Sequence, residues 1–431
     1  MKTQHRYLIL ILFTVLIPSG LWLLTFPNTT IKHDAFPFFV YTSQWCSVIG
    51  FSLFAMSFIL TTRLKGIETY FGGLDKLYQK HITVGTWAFF MILAHPLLLL
   101  LRWIPDDIEK TFWYLLPLHR KLEINAGSWA LWLLIVLLLF TLVIKLPYNS
   151  WKITHKFMGL SFILMLVHVF GVQHFYEHNR YLALYFIVLG TLAVLSFLYK
   201  SIFYKWLSHT YTFEVLAIEK LSDTVMDITL FDTGFNFKFV PGQFCFFQFK
   251  HPHLSMESHP FTICGSPKKN EIHILVKALG DYTSQLYDTL TPHTVALAEG
   301  PYGCFDYKLG TSKQIWIAGG VGIAPFVSWC HDLERHPWPE LEVDLYYCVH
   351  QSSETFHGEA FETLAARMPH FHVHIHCSNT SGHIQSSAIA GPHNKTLFIC
   401  SPKNLRTALL KGFDALNVPK ANIIYEDFDF I

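Results

Sequence analysis

The chain has 431 residues, 52% hydrophobic and only 15% charged, with a formal net charge of +1. That balance is too apolar for an ordinary soluble protein of this length, and it offers no electrostatic basis for a nucleic-acid partner. Eight cysteines, none in a C-x-x-C pair, exclude a disulfide framework, a zinc ribbon and an iron–sulfur motif; all but Cys46 fall after residue 240, which suits a reducing compartment for that half.

The apolar mass lies before about residue 205. Six membrane spans are predicted there, at about 7–26, 37–60, 81–101, 128–146, 156–174 and 181–203. The first follows Lys2 and Arg6. Its length of ~20 residues and the lack of a small-x-small cleavage site read as a retained span rather than a signal peptide. Basic residues gather at the N-terminus, between the second and third spans (Arg63, Lys65, Lys76, Lys80) and between the fourth and fifth (Lys145, Lys152). The 102–127 loop is mixed, with Asp106, Asp107 and Glu109 offsetting Arg102, Arg120 and Lys121. The positive-inside rule then puts both termini in the cytosol of a multi-pass cell-membrane protein, and the third and fifth spans run the same way.

Those two spans carry four histidines: His81 and His95 in the third, His155 and His168 in the fifth. Fourteen residues of helix rise ~21 Å and thirteen ~20 Å, inside a hydrocarbon core of ~30 Å. Parallel spans would pair His81 with His155 near the cytosolic face and His95 with His168 near the outer face. Facing imidazoles are what a six-coordinate b-type haem needs as axial ligands, and two haems at different depths make a path for electrons. A single such histidine could instead hydrogen-bond a neighbouring helix, but ionisable residues inside spans are costly and usually functional. At ~100° per residue, His81 and His95 fall ~40° apart and His155 and His168 ~140° apart. The fifth span therefore needs a bulge, a bend or compensating rotamers.

From Tyr211 the pattern changes to short β-rich runs, YTFEVLAI, DTVMDITLF, FCFFQF, EIHILVKAL and TVALAEG, at the spacing of a small antiparallel barrel. After about residue 311 strands alternate with helices, beginning IWIAGGVGIAPFVSWCHDL, as in a parallel α/β nucleotide domain. The expected fold is a multi-domain membrane protein: a six-helix transmembrane bundle (1–206), an antiparallel β-barrel domain (207–310) and an α/β parallel-sheet nucleotide domain (311–431).

A flavin site needs a hydroxyl or backbone donor near the reactive N5 and cationic or N–H donors at the pyrophosphate. Thr262 and His259 of His259-Pro260-Phe261-Thr262 can supply these. Next, Lys277-Ala278-Leu279-Gly280-Asp281-Tyr282-Thr283 leads from a strand into a short helix, a turn that aims N–H groups at a phosphate. Gly319, Gly320, Gly322 and Pro325 lie between a strand and a helix, where glycines let a dinucleotide pyrophosphate approach the backbone. Their spacing is not G-x-G-x-x-G. Cys400-Ser401-Pro402 follows the strand LFI, at the carboxyl edge where α/β ligands bind; the alternative for Cys400 is a buried core thiol. The terminal Glu426-Asp427-Phe428-Asp429-Phe430-Ile431 offers an aromatic either to stack on a flavin or to anchor the last strand.

With these pieces in order, the chain resembles the NADPH oxidase/ferric reductase superfamily, most of all its compact prokaryotic members. The resemblance covers nearly the whole chain: FGGLDKLYQKH before the third span, the fourteen- and thirteen-residue histidine spacings, HPFT, KALGDYT, GGVGIAP and EDFDF. Members share the uneven spacing of the fifth span. By this resemblance His81, His95, His155 and His168 would ligate two b-type haems. His259, Pro260, Phe261, Thr262, Lys277, Gly280 and Thr283 would form the FAD site. Gly319, Gly320, Gly322 and Pro325 would hold NAD(P)H, with Cys400 near the hydride path. Phe430, or failing it Phe428, would cover the flavin until nicotinamide displaces it.

The implied activity is transfer of electrons from cytosolic NAD(P)H through FAD and two haems to an acceptor outside. O2, giving superoxide, is favoured over a ferric chelate. Another class of reading is an electron-transfer component serving a protein or quinone partner, against which the complete reductase modules argue. A transporter or proton channel on the same histidines would not need the reductase. His174, His178 and Arg180 are expected at the outer end of the fifth span, and Arg102 is placed either to pair a haem propionate or to snorkel to the interface. Two positions depart from the family: Ser401 stands where glycine is usual, and His350 where many members have an arginine at the adenosine ribose. That leaves NADPH against NADH open. No obligate protein partner or regulatory insertion is expected.

Overall fold

Long apolar runs with few breaks become helices in the first half of the chain. A computed structural model describes residues 8–24, 37–104, 106–144, 146–172, 179–266 and 268–427. The readings placed on Lys2, Arg6, Lys145, His174, His178, Phe428 and Phe430 lie outside the described residues. The chain forms two units, Met1–Phe71 with Leu77–Leu207 and Gly72–Lys76 with Ser208–Ile431.

The first unit is built on α1 (Leu8–Leu23), α2 (Pro37–Ile59), α3 (Lys65–Phe71), α4 (Leu74–Leu101), α5 (Ile108–Leu115), α6 (Leu122–Leu142), α7 (Tyr148–Lys156), α8 (Met158–Gly171) and α9 (Arg180–Leu207). Among the described residues five helices are long and apolar enough to cross a membrane: α2, α4, α6, α9 and the combined run Asn149–Gly171. The first predicted span, α1, is apolar but shorter. α4 starts earlier than predicted, at Leu74, and carries Pro96 inside it. Leu16, Trp87, Phe90, Trp129, Leu142 and Ile187 are exposed, as expected of helices with apolar residues all round.

Two packing features position the histidines. Phe51 and Phe54 of α2 meet Phe162 of α8 at 5.8 and 5.4 Å, and Phe51 meets Phe186 of α9 at 4.6 Å. Ser161 Oγ on α8 donates to the Ala130 carbonyl of α6 at 2.8 Å. Between α7 and α8 the helix is interrupted at Phe157, whose N–H turns tightly onto the Thr154 carbonyl at 3.0 Å. Such a turn changes the winding. It falls between His155 and His168 and resets the direction of one ring relative to the other.

The second unit begins with a closed antiparallel barrel of six strands in the order β1-β2-β5-β4-β3-β6. They are β1 (Thr210–Lys220), β2 (Val225–Asp232), β3 (Phe244–Lys250), β4 (His259–Gly265), β5 (Glu271–Lys277) and β6 (Val295–Tyr302), with α10 (Asp281–Thr289) after β5. Phe213, Ile228, Phe247, Ile263, Ile274 and Ala298 fill it and are fully buried. β4 is not among the predicted strands. Pro260 at its second position lacks an N–H, yet a proline at a strand start is tolerated and here pairs with Phe246.

A five-stranded parallel sheet follows, ordered β11-β10-β7-β8-β9. Its strands are β7 (Lys313–Gly319), β8 (Glu342–Val349), β9 (Phe371–Cys377), β10 (Thr396–Cys400) and β11 (Ile423–Tyr425); α11 (Ala324–Arg335), α12 (Gly358–Arg367) and α13 (Lys403–Ala415) connect them. Trp316, Phe326 and Trp329 pack together at ring distances of 5.0–5.7 Å.

Candidate functional site: paired histidines, a barrel rim and a glycine loop

α4 and the α7–α8 pair bring the four intramembrane histidines together two by two. The ring centres of His81 and His155 lie 6.1 Å apart, and those of His95 and His168 lie 6.3 Å apart. Imidazole nitrogens bound to opposite sides of one iron at about 2.0 Å place their ring centres roughly 6 Å apart. Both pairs therefore fit an iron between them.

Hydrogen bonding selects the nitrogen each ring offers. His81 Nδ1 lies 3.0 Å from the Ser57 carbonyl, His95 Nδ1 3.1 Å from the Ser43 carbonyl, and His168 Nδ1 2.8 Å from the Glu123 carbonyl. A carbonyl only accepts, so Nδ1–H donates in each case and Nε2 keeps its lone pair, as metal-bound histidines require. Ser43 Oγ, which also touches His95 Nδ1 at 2.8 Å, donates to the His95 carbonyl at 2.7 Å. His155 differs: its Nδ1 is buried with no hydrogen-bond partner among the described residues, and its ring stacks on Trp151 at 5.2 Å.

A cavity of about 350 Å³ opens beside the His95–His168 pair. Apolar side chains from α2, α4, α6, α8 and α9 line it, with Gln44, Ser47, Tyr114 and Ser128 among the polar exceptions and, among the described residues, no charged side chain. Gly127 makes room for the His168 ring, since a Cβ there would come within 2.7 Å of Nδ1. The donor set and the apolar space suit a b-type haem.

In the second unit, the HPFT and KALGDYT motifs meet. The His259 ring at the start of β4 stacks on Tyr282 of α10 at 4.1 Å and 15°, and its Nε2 lies 3.2 Å from Glu257 Oε2. Sequence reasoning missed Glu257 and Tyr282 as site residues; an aromatic two positions past the turn glycine was the available signal. Burial pushes the Tyr282 hydroxyl up to about 12, so it stays a neutral donor. Thr262 is buried opposite Phe244, Phe261 packs 6.3 Å from Phe247, and Lys277 ends β5 opposite Val225. Thr283 Oγ1 accepts from the N–H groups of Leu279 and Gly280 at 3.0 Å each. This hydroxyl caps its own helix, and those two N–H groups are not aimed at a ligand.

Gly319 ends β7, Gly320–Ile323 form a tight turn, and Pro325 sits in the first turn of α11. β10 lies next to β7 with Cys400 opposite Ala318. The glycine loop leans on that strand end so closely that a Cβ on Gly322 would lie 2.3 Å from the Cys400 carbonyl. Cys400 is 1% exposed, and burial pushes its thiol well above the ordinary range, so it is no thiolate. Arg406 Nη1 donates to the Ser401 carbonyl at 3.2 Å. His350 follows β8 and is exposed, its Nδ1 3.3 Å from Ser378 Oγ at the end of β9.

Known families match these same regions. The ferric reductase like transmembrane component matches residues 46–167, an FAD-binding domain residues 210–306, and the oxidoreductase NAD-binding domain residues 316–390. One component of the Na(+)-translocating NADH-quinone reductase of Pseudomonas aeruginosa is 24% identical over 165 residues, 35% of this chain and 40% of that protein. The Klebsiella pneumoniae counterpart is 26% identical over 156 residues, 32% and 38% of the two chains. The chain thus spans about 40% of the length of these curated relatives. Among solved structures, flavohemoglobin from Malassezia yamatoensis, with bound FAD and heme, aligns with a TM-score of 0.52 at 15% identity, covering 92% of this chain and 99% of that one. The FAD/NAD-binding domain of nitric oxide dioxygenase from Vibrio cholerae aligns at 0.45 and 21%, covering 50% and 97%. The likeness to the flavohemoglobin, at 15% identity, is one of fold alone.

A ferric reductase-like transmembrane component, an FAD-binding barrel and an NAD-binding sheet in one polypeptide define a multi-pass membrane oxidoreductase that uses flavin and nicotinamide. The matched domains, in this order along the chain, are those of a fusion of the NADPH oxidase/ferric reductase type.

Proposed function

We propose that the protein carries electrons from cytosolic NAD(P)H across the membrane to O2, releasing superoxide on the outer face, with FAD and two b-type haems as its cofactors. The observation that carries this reading is the two histidine pairs at iron-spanning separation, one above the other along α4. When bound, FAD takes a hydride and gives up electrons singly, which haem iron can carry onward.

The chain's own residues do the rest. Carbonyls of Ser57, Ser43 and Glu123 hold three imidazoles with Nε2 presented to the metal. The His259–Tyr282 stack joins β4 to α10 and presents Thr262 on the same strand for the flavin ring. The turn at Gly320–Ile323 brings the dinucleotide pyrophosphate against the start of α11, and Cys400 shapes the nicotinamide floor as a neutral thiol. Domains are assigned at 1–206, 207–310 and 311–431, with the termini and both reductase domains in the cytosol.

O2 is favoured as acceptor because its outer-sphere reduction at a haem edge needs only a small cavity, whereas a ferric chelate needs a docking surface of its own near the outer haem. A quinone has one point in its favour: the named relatives belong to NADH-quinone reductases. Stopped-flow haem spectroscopy separates these acceptors. Purified protein in detergent is reduced anaerobically by NAD(P)H, then mixed with O2, a ferric chelate or a short-chain quinone. Fastest reoxidation by O2 is expected; faster reoxidation by either rival replaces the oxidase reading. Absence of an NAD(P)H-reducible haem band overturns the electron path itself.

His350 reads the adenosine ribose. A guanidinium there would grip a 2′-phosphate in a way imidazole cannot. His350→Arg is expected to raise the NADPH:NADH ratio of kcat/KM by roughly tenfold or more, as one charge-assisted contact does. An unchanged ratio would place the ribose elsewhere.

A further inference from the structure

The barrel and the sheet lobe share one apolar seam, in which Val225, Cys264 and Leu275 of the barrel cluster with Ala324, Trp329 and Tyr347 of the sheet lobe. The carboxylate of Asp227 on β2 lies in that seam at 5% exposure. His273 Nδ1 of β5 lies 3.1 Å from its Oδ1, and His357 Nε2, from the turn before α12, lies 2.9 Å from its Oδ2. One imidazole comes from each lobe. His357 has a left-handed backbone (φ 58), uncommon for a residue with a Cβ, and such conformations persist where the surroundings over-determine them.

A third imidazole is close by. His331 on α11 is partly buried and fills the space over Gly265 of β4, where a Cβ would lie 2.2 Å from Nδ1. Other titratable or charged groups face the cluster. They are Glu334 and Arg335 on α11, Cys264 on β4, Tyr347 on β8 and Glu354 in the turn after it. Arg335 is tied to the Ser266 carbonyl. None of these residues belongs to the motifs assigned to FAD or the dinucleotide.

We propose that Asp227 is a positioning residue for the nucleotide-to-flavin step: held between His273 of the barrel and His357 of the sheet lobe, it fixes the two lobes in register and makes that register sensitive to protons. One carboxylate can neutralise one imidazolium. A proton added to His331 in the buried seam is only partly offset by Glu334, so it disfavours closure and the seam loosens. The signs agree. Burial holds His331 below its ordinary value, so the opened seam binds more protons than the closed one. Closure is therefore complete above the ordinary histidine value of about 6.5 and weakens as pH falls below it. Burial raises Asp227, but the hydrogen bond from His273 and the close His357 imidazole outweigh it and leave the carboxyl below its usual range. Its own contribution is lost only at more acid pH. The inference rests on the flavin–nicotinamide class of the protein and not on its acceptor.

The test uses the full chain in detergent with FAD bound. Flavin bleaching by saturating NAD(P)H is followed from about pH 7.5 to about 5.5, beside hydrogen–deuterium exchange of peptides covering β4 and α11, corrected for intrinsic rates. The wild type should slow severalfold on acidification, with exchange at the seam rising in step. Asp227→Asn should slow bleaching roughly tenfold at neutral pH, flatten the pH profile and leave the FAD:protein ratio unchanged, as expected for a small misplacement of the reacting groups. His357→Gln, on a part-exposed turn, should do the same and serves if the Asp227 variant fails to fold. A wild-type profile that is flat in both readouts, or variants whose profiles run parallel to wild type, would overturn the proposal. Failure of any nucleotide to bleach the flavin would instead strike the class assignment, and the exchange profile would still decide the seam.

Discussion

His168→Ala is expected to purify with about one b-type haem in place of about two, because bis-imidazole ligation fails when one side chain is removed. His168 faces His95 at 6.3 Å and is held by the Glu123 carbonyl, with Gly127 cleared for its ring. His155→Ala should also cost one haem, at the pair with His81. The two variants differ in what remains. With the inner pair intact, His168→Ala should still show a haem that NAD(P)H reduces and that an external acceptor reoxidises far more slowly than in wild type. With the inner pair broken, His155→Ala should keep a haem that dithionite reduces and NAD(P)H does not. Pyridine haemochrome assays and anaerobic difference spectra measure both. Retention of two haems in both variants would end the ligand assignment.

The second large effect is expected at the glycine loop. Gly322→Val places a Cβ 2.3 Å from the Cys400 carbonyl and 2.8 Å from its carbon, both backbone atoms of a strand hydrogen-bonded to β7. Neither strand can retreat without breaking the pairing of Ala318 with Cys400, so the loop must leave the position from which it would meet the pyrophosphate. Flavin reduction by NAD(P)H should fall by about a hundredfold or more, since a displacement near 1 Å costs that much. FAD content and dithionite reduction of the haems should be unchanged. Gly320→Ala is the comparison: its Cβ would meet nothing within 4 Å, and only its φ of 54 opposes the change. A smaller loss is expected there. Equal losses at both positions would point to general loop instability rather than the Cys400 contact.

Periodicity exposed most of the architecture. Apolar runs of membrane length mark α2, α4, α6 and α9, and alternating runs such as VMDITLF mark strands whose residues face a barrel interior. β4 escaped because Pro260 argues against a strand and because HPFT invites a reading as a ligand loop, although the same residues pair with β3. The break at Phe157 has no proline to announce it. Only the mismatch between a thirteen-residue spacing and the helical repeat betrays it. The Asp227 cluster was illegible for another reason. Asp227, His273, His331 and His357 are far apart in sequence, each is an ordinary polar residue in its own element, and only the closed barrel with α11 laid on β4 brings them together. His259 could be singled out from its motif, whereas its stacking partner Tyr282 became visible only once α10 folded back.

The anchoring of His81, His95 and His168 to main-chain carbonyls has an electrical consequence. A carbonyl cannot take up a proton, so an electron arriving between these rings gains no compensating charge from their anchors. Each electron exported would then act as bare current and shift the membrane voltage, against which the next must move at about 2.3 kcal/mol per 100 mV. Sustained turnover would be limited by the conductance that returns positive charge across the same membrane, and a cell in which that leak is closed would stall the protein within its first burst of cycles.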